Sequence, residues 1–249
     1  MAIIGIIPAR YASTRFPGKP LAIINGKSII QRVFEQCKLA EILDKVIVAT
    51  DDDRIFDHVM DFGGEAVMTS KEHQNGTSRC AEALSVYERN SGVVFNIIIN
   101  IQGDEPFIRP EQIHQVAAIF SQPKAQIGTL AKKIESEDEL FNPNVVKLVA
   151  DKENRALLFS RNPIPFVRDE DKTNWLSSAV YYKHIGLYGY RKDTLLEIAK
   201  QEPSRLELAE KLEQLRWMEN GYNVSVAYTD YESMGVDTPG DLLKLTNKP

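Results

Sequence analysis

The chain has little cysteine: Cys37 and Cys80 are its two, in 249 residues, with no CxxC pair and no His/Cys cluster. That excludes a disulfide framework and gives no sign of a thiolate zinc site. Both thiols fall inside helical patterns, where buried, inert roles are expected. Long apolar runs are also missing. The opening stretch Met-Ala-Ile-Ile-Gly-Ile-Ile-Pro is far shorter than the ~18 residues of a membrane span, and it lacks a basic leader and a cleavage site. No membrane role is expected, and a cytoplasmic location is. Positive charge is nowhere concentrated: 30 Lys and Arg face 35 Asp and Glu, a formal net charge of −5. Nucleic acid is therefore not an expected partner. The Walker A pattern GxxxxGK[ST] and the dinucleotide pattern GxGxxG are both absent. The second absence weighs against a nicotinamide-dependent oxidoreductase. No internal repeat or low-complexity segment occurs.

What remains is an ordinary globular composition, 43% hydrophobic and 26% charged. Apolar strands at residues 2–8, 45–50, 65–68 and 95–101 alternate with helical patterns at 28–40, 52–62 and 77–87. Such alternation predicts βαβ units, a mostly parallel sheet and helices on both faces. Right-handed crossovers then bring the C-terminal strand ends to one edge, where open α/β sheets bind ligands. Three polar loops fall there: residues 9–20, 51–53 and 103–106. The second half reads less regularly, with strands at 127–133, 145–150, 156–160, 185–190 and 224–228. A long excursion spans 161–180, and helices are expected at 206–219 and 238–246. We read residues 1–249 as one domain, with a less regular substrate or dimerisation element around 155–220.

Five constellations carry the chemistry. PARYASTRFPGKP (residues 8–20) places Arg10, Arg15 and Lys19 in a turn-rich loop after a buried strand. Its amides and cations suit a phosphate cradle, with Lys a compact point charge and Arg able to grip two oxygens. Gln102-Gly103-Asp104-Glu105-Pro106 puts a carboxylate at a central strand tip, fit either for Mg²⁺ or for a plain turn. In Gly235-Val236-Asp237-Thr238-Pro239, Asp237 or Thr238 is either a helix cap or part of a second metal-binding turn. His73 to Arg79 is a polar loop opening a helix, with Thr77 or Ser78 as its cap. Arg79 in that first turn opposes the helix dipole, which hints at a ligand-facing cation. Last, residues 182–191, with Ser160-Arg161 and Leu212 to Arg216, combine Tyr, Arg, Gln and Glu as sugar sites do. Singly, each of these reads as a strand or helix face.

In order and spacing, PARYASTRFPGKPL, IVATDDDRI, HQNGTSR, NIQGDEP, FNPNVVK, LFSRNPIP, KHIGLYGYR, LEQLR and GVDTPGDL resemble the 3-deoxy-manno-octulosonate (Kdo) cytidylyltransferases. The resemblance covers nearly the whole chain. It implies the three-layer, Rossmann-like nucleotide-diphospho-sugar transferase fold, usually as a homodimer. It also implies transfer of CMP from CTP to Kdo with release of pyrophosphate, for lipopolysaccharide assembly. By resemblance Arg10, Ser13 and Lys19 hold the triphosphate and Arg79 lies near the nucleotide. Asp104 and Asp237 match the Mg²⁺ ligands; Gln102, Arg161, Tyr188, Glu213 and Gln214 match the Kdo pocket. The chemistry would centre on Lys19, Asp104 and Arg10, with His184 structural rather than a base. Asn75 and Ser78 stand where the family commonly has Ser and an acidic residue. Residues 229–234 depart from its apolar, Pro-rich form.

Overall fold

In the computed structural model, which describes residues 1–12, 16–232, 235–236 and 238–246, the chain opens with β1 (Ile3–Ala9), buried almost end to end. The short strands β2 (Ile23–Ile24) and β3 (Lys27–Ser28) then pair antiparallel around the turn Asn25-Gly26. Ser28 caps α1 (Ile29–Lys38), its hydroxyl accepting the Gln31 amide at 3.1 Å. The first half continues through β4 (Lys45–Thr50), α2 (Asp53–Asp61), β5 (Ala66–Met68), α3 (Gly76–Ser91) and β6 (Ile97–Asn100). The second half holds α4 (Pro110–Ile119), β7 (Ile127–Lys133), α5 (Glu137–Phe141), β8 (Lys147–Ala150) and β9 (Ala156–Ser160). It ends with α6 (Trp175–Ser178), β10 (Tyr182–Arg191), α7 (Lys192–Ile198), α8 (Arg205–Glu210), α9 (Glu213–Glu219), β11 (Val224–Tyr228) and α10 (Pro239–Thr246).

The main sheet has the order β11-β7-β10-β6-β1-β4-β5, with β8 and β9 extending from β10. β1 runs parallel to β4 and β6, β4 to β5, and β11 to β7, while β10 lies antiparallel between β6 and β7. The sheet is thus mostly parallel, as its sequence pattern predicts, with β10 its reversed strand. Side chains of β1 alternate between the faces: Ile3 and Ile7 pack with α1, α2 and α4, Ile4 and Ile6 with α3, α7 and α9. Burial on both sides is why the strand reads as a continuous apolar run. Each buried Ile contributes roughly 1.5–3 kcal/mol. Among the described residues, no helix is long and apolar enough to cross a membrane.

Three segments differ from the sequence reading. Residues 206–219, expected as one helix, form α8 and α9, separated at Lys211 with φ 54°. The cause is tertiary: the Arg161 side chain donates to the carbonyls of Glu210 (2.6 Å) and Lys211 (3.4 Å), groups a continuous helix would use itself. Leu212 then turns into the core. The helix α4 begins at Pro110, a favoured first helical residue, and the sequence reading assigns none there. The excursion at 161–180 is anchored by its own cluster, Trp175 and Tyr181 against Ile134 and Leu140.

Candidate active site

β1, β4 and β6 end side by side, so the loops that follow them share one edge of the sheet. After β1 the chain folds back on itself: the Gly18 amide donates to the Tyr11 carbonyl at 2.9 Å. Gly18 itself has φ 72°, and a β-carbon there would approach the Tyr11 ring to 3.1 Å, so the turn requires glycine. The turn places Lys19 at the start of a single helical turn, Lys19–Leu21. After β6, Gly103 lies against β1 so closely that a β-carbon would sit 2.7 Å from the Pro8 carbonyl oxygen. Two glycines thereby bring the loops together, and the Lys19 ammonium donates to Asp104 Oδ2 at 2.5 Å.

A cleft of about 430 Å³ opens over this pair, lined by Arg10, Lys19, Gln74, Asn75, Gln102 and Asp104, among others. Arg10 donates through Nη1 to the His73 carbonyl at 3.0 Å. The loop bearing His73 is pinned in turn by Glu82, which accepts the Ser70 amide at 2.9 Å and pairs with the His73 ring. Asn75 caps α3, its Oδ1 accepting both the amide and the hydroxyl of Ser78 at 2.9 Å. The cap is therefore Asn75 rather than Thr77 or Ser78. With amides of a helix start, three cations and one carboxylate on its walls, the cleft is built for a polyanion.

Arg79 borders the cleft, yet its guanidinium is committed: Nη2 to Asp51 Oδ2 and Nη1 to Thr69 Oγ1, both at 2.7 Å, with 1% of its surface exposed. The Asp51 pair accounts for a cation held against the helix dipole. Asp104 is fixed from a second side, its carbonyl accepting the Val236 amide at 2.9 Å. Asp237, next in sequence, lies outside the described residues, as do Ser13 and Arg15. Thr238 exchanges bonds with Asp241 at the start of α10, its hydroxyl accepting the Asp241 amide at 3.2 Å, so Thr238 has the capping role. Among the described residues, no group of three or more His, Cys, Asp or Glu side chains is placed to hold a metal ion. A hard carboxylate in a cation-lined cleft has the donor chemistry that suits Mg²⁺, which usually keeps several waters and takes few protein ligands.

Of the residues matched to sugar binding, Gln102 lines the cleft and donates to the Gly186 carbonyl at 3.1 Å, beside the irregularity in β10. The others gather elsewhere, around β9, β10 and the α8–α9 junction. Arg161 bonds the carbonyls of Glu210 and Pro143. Tyr188 is buried against His184, Tyr190 and Trp217, and among the described residues its hydroxyl has no hydrogen-bond partner. Gln214 is buried on α9. Glu213 connects the two places: its Oε2 accepts the Thr77 hydroxyl at 3.0 Å, from the first turn of α3. Burial pushes the Glu213 carboxyl above the usual range, with Arg216 and Thr77 pulling the other way. His184 is partly buried, its Nε2 3.0 Å from the Thr129 hydroxyl, and desolvation lowers its pKa to about 3, so it stays neutral. The sequence reading missed Asp51 as the partner of Arg79, and the His73–Glu82 support beneath Arg10. The nearest signal was the acidic loop at 51–53 on the ligand edge.

The Cytidylyltransferase family model matches residues 4–227. A 3-deoxy-manno-octulosonate cytidylyltransferase of Parabacteroides distasonis is 55% identical over 98% of this chain and 96% of its own length. One from Thermodesulfovibrio yellowstonii is 50% identical, covering 97% and 96%. A solved structure of CMP:2-keto-3-deoxy-manno-octonic acid synthetase complexed with CTP superposes with a TM-score of 0.89 at 40% identity, covering 99% and 97%. The 4-diphosphocytidyl-2C-methyl-D-erythritol synthase of Anaerococcus prevotii shares the fold alone, at 14% identity and a TM-score of 0.58.

Proposed function

The chain belongs to the 3-deoxy-manno-octulosonate cytidylyltransferase family, and we propose that it transfers CMP from CTP to Kdo, releasing pyrophosphate. The observation that carries this reading is the Lys19–Asp104 pair in a cation-lined cleft at the strand ends. In the reaction the 2-hydroxyl oxygen of Kdo bonds to the α-phosphorus, the bond to the β-phosphate oxygen breaks, and the hydroxyl proton is lost. Positioning and charge stabilisation dominate such transfers. Lys19 and Arg10 would lie along the triphosphate and meet charge growing on the leaving pyrophosphate. Arg79, fixed by Asp51, would set one wall near the nucleotide, and Ser13 would add a phosphate contact. His184, neutral and bonded to Thr129, takes no part as a base.

Mg²⁺ is the proposed cofactor, held by Asp104 and Asp237 together with phosphate oxygens. When bound it would supply Lewis-acid polarisation of the phosphate and lower the hydroxyl pKa. Gln102, Arg161, Tyr188, Glu213 and Gln214 would serve the sugar. The proposed setting is the cytoplasm, where the product would feed lipopolysaccharide assembly. The proposed assembly is a homodimer; β9 leaves Leu157 and Leu158 exposed, 61% and 39%, in support of a second copy there. The test is a pyrophosphate-release panel of CTP, UTP, GTP and ATP against Kdo and sialic acid, with and without Mg²⁺. Release confined to CTP, Kdo and Mg²⁺ is expected. Turnover with sialic acid or another nucleotide, or CTP binding without turnover, would replace this reading.

A further inference from the structure

Arg79 and Arg216 are both buried, with 1% and 4% of their surfaces exposed. Arg79 is accounted for by Asp51 at the cleft wall. Arg216, on the inner face of α9, lies outside the cleft and has no part in the chemistry described so far. Its Nη1 donates to the Gln201 carbonyl at 2.7 Å, beyond the end of α7. Nη2 donates to Glu213 Oε1 at 2.6 Å, and Nε stands 3.3 Å from Glu207 Oε2 on α8. One planar group thus holds the end of α7, α8 and α9 together. The far oxygen of Glu213 takes the hydroxyl of Thr77, itself 1% exposed. Thr77 stands in the first turn of α3, beside Asn75 and Gly76 of the cleft wall.

This chain of bonds crosses between parts of the sequence 136 residues apart. Helix packing alone does not require it, because apolar contacts such as Leu215 and Trp217 already dock α9 on the sheet. Replacing a buried ion pair by apolar groups is often neutral for stability, so stability alone is a weak reason to keep one. Glu213 also keeps 23% of its side chain in solvent, while Arg216 keeps 5%. Glu213 is the more exposed partner and the guanidinium the hidden support.

We infer that Arg216 is a positioning residue, which fixes the Glu213 carboxylate against Thr77 and so holds the acceptor-sugar arm in register with the nucleotide cleft. The inference rests on the cytidylyl-transfer reading above. The groups facing Glu213 are Arg216 and Glu207 from α9 and α8, Thr77 and Cys80 from α3, and Tyr188 and Tyr190 from β10. Burial keeps Cys80 and both tyrosines protonated, leaving Arg216 as the cation among these groups. Without it, Glu213 would protonate more readily and lose its fixed geometry.

The test compares wild type with Arg216→Met, Arg216→Lys and Thr77→Val by pyrophosphate release, varying CTP, Kdo and pH. For Arg216→Met, kcat/KM for Kdo should fall ~10–100-fold, the scale of a small misplacement. KM for CTP should stay within ~2-fold by the same argument. The acid limb of the Kdo profile should move up by ~1 pH unit or more, as expected when an adjacent opposite charge is removed. Arg216→Lys, which keeps the charge, should leave the acid limb in place and recover part of the rate. An unmoved acid limb in Arg216→Met, or equal losses toward CTP and Kdo, would overturn the inference. If Arg216→Met does not melt cooperatively, Thr77→Val decides: a raised KM for Kdo supports the inference and an unchanged one ends it. A wild-type enzyme without CTP- and Kdo-dependent release would instead sink the functional reading itself.

Discussion

Lys19 and Asp104 meet across the cleft from loops 85 residues apart, with 14% and 32% of their side chains exposed. Arg161 and Arg216, in the second half, turn their guanidinium groups onto backbone carbonyls and, for Arg216, the half-buried Glu213 carboxylate. The first region turns charge toward an open cleft; the second uses charge to build a frame. The difference follows from topology. Loops after parallel strands lie at one edge and so face the same volume. The arm formed by β9, β10, α8 and α9 has no such edge, and β10 runs against its neighbours. Its polar residues must be positioned by one another.

The sharpest way to break this contrast is at Asp104. For Asp104→Asn we expect at least ~10³-fold lower turnover at an almost unchanged melting temperature, the scale of losing a preorganised electrostatic group. Pyrophosphate release over a Mg²⁺ titration measures it. Wild-type rate in Mg²⁺ would remove Asp104 from the site. For Lys19→Ala the expected loss in turnover is ~10²–10³-fold. A change confined to Kdo affinity would move Lys19 out of the phosphate cleft and into the arm.

The arm should show itself in stability instead, through His184. Burial lowers its pKa from 6.5 to about 3, so the folded protein binds fewer protons there than the unfolded chain. The stability due to His184 is complete above pH 6.5 and is lost as pH falls toward 3. Between pH 6.5 and 4 that loss is about 3 kcal/mol, at 1.36 kcal/mol per unit. Urea unfolding from pH 7 to 4 should therefore show a shallower decline in His184→Gln than in wild type. Equal slopes would mean that the imidazole is solvated.

The same contrast explains what the sequence made legible. Lys19 and Asp104 stood out because each follows a buried strand, in a loop with turn residues, and the crossover rule carries both to one edge. For Arg79 the position against the dipole is visible in the sequence, but its partner Asp51 is 28 residues away and the pairing depends on how β4 and α3 pack. The break at Lys211 was hidden for a similar reason. Leu208, Leu212 and Leu215 fit helical spacing well, yet the distant Arg161 takes the carbonyls of Glu210 and Lys211. Local periodicity records which face is buried, not which backbone groups a remote side chain will claim.

Asn75 and Ser78 give the smallest effect and the finest test. A Ser cap with an acid three residues later would form a reciprocal capping box. Here Asn75 is the cap and Ser78 stands three residues on, and Asn75 Oδ1 receives both the amide and the hydroxyl of Ser78 at 2.9 Å. The bond from the Ser78 amide to the cap side chain is of the capping-box kind, while the Ser78 hydroxyl donates back to Asn75. Asn75→Ala should lower stability by ~1 kcal/mol in urea, the usual value of an N-cap, while Asn75→Ser should lower it by less. Asn75 also lines the cleft, so its loss separates framing from presenting. If KM for CTP rises in Asn75→Ala and Asn75→Ser restores it, the cap sets the nucleotide wall through α3. If Asn75→Ser restores stability but not KM, the Asn75 amide itself faces the nucleotide, and this one residue belongs to both halves of the contrast.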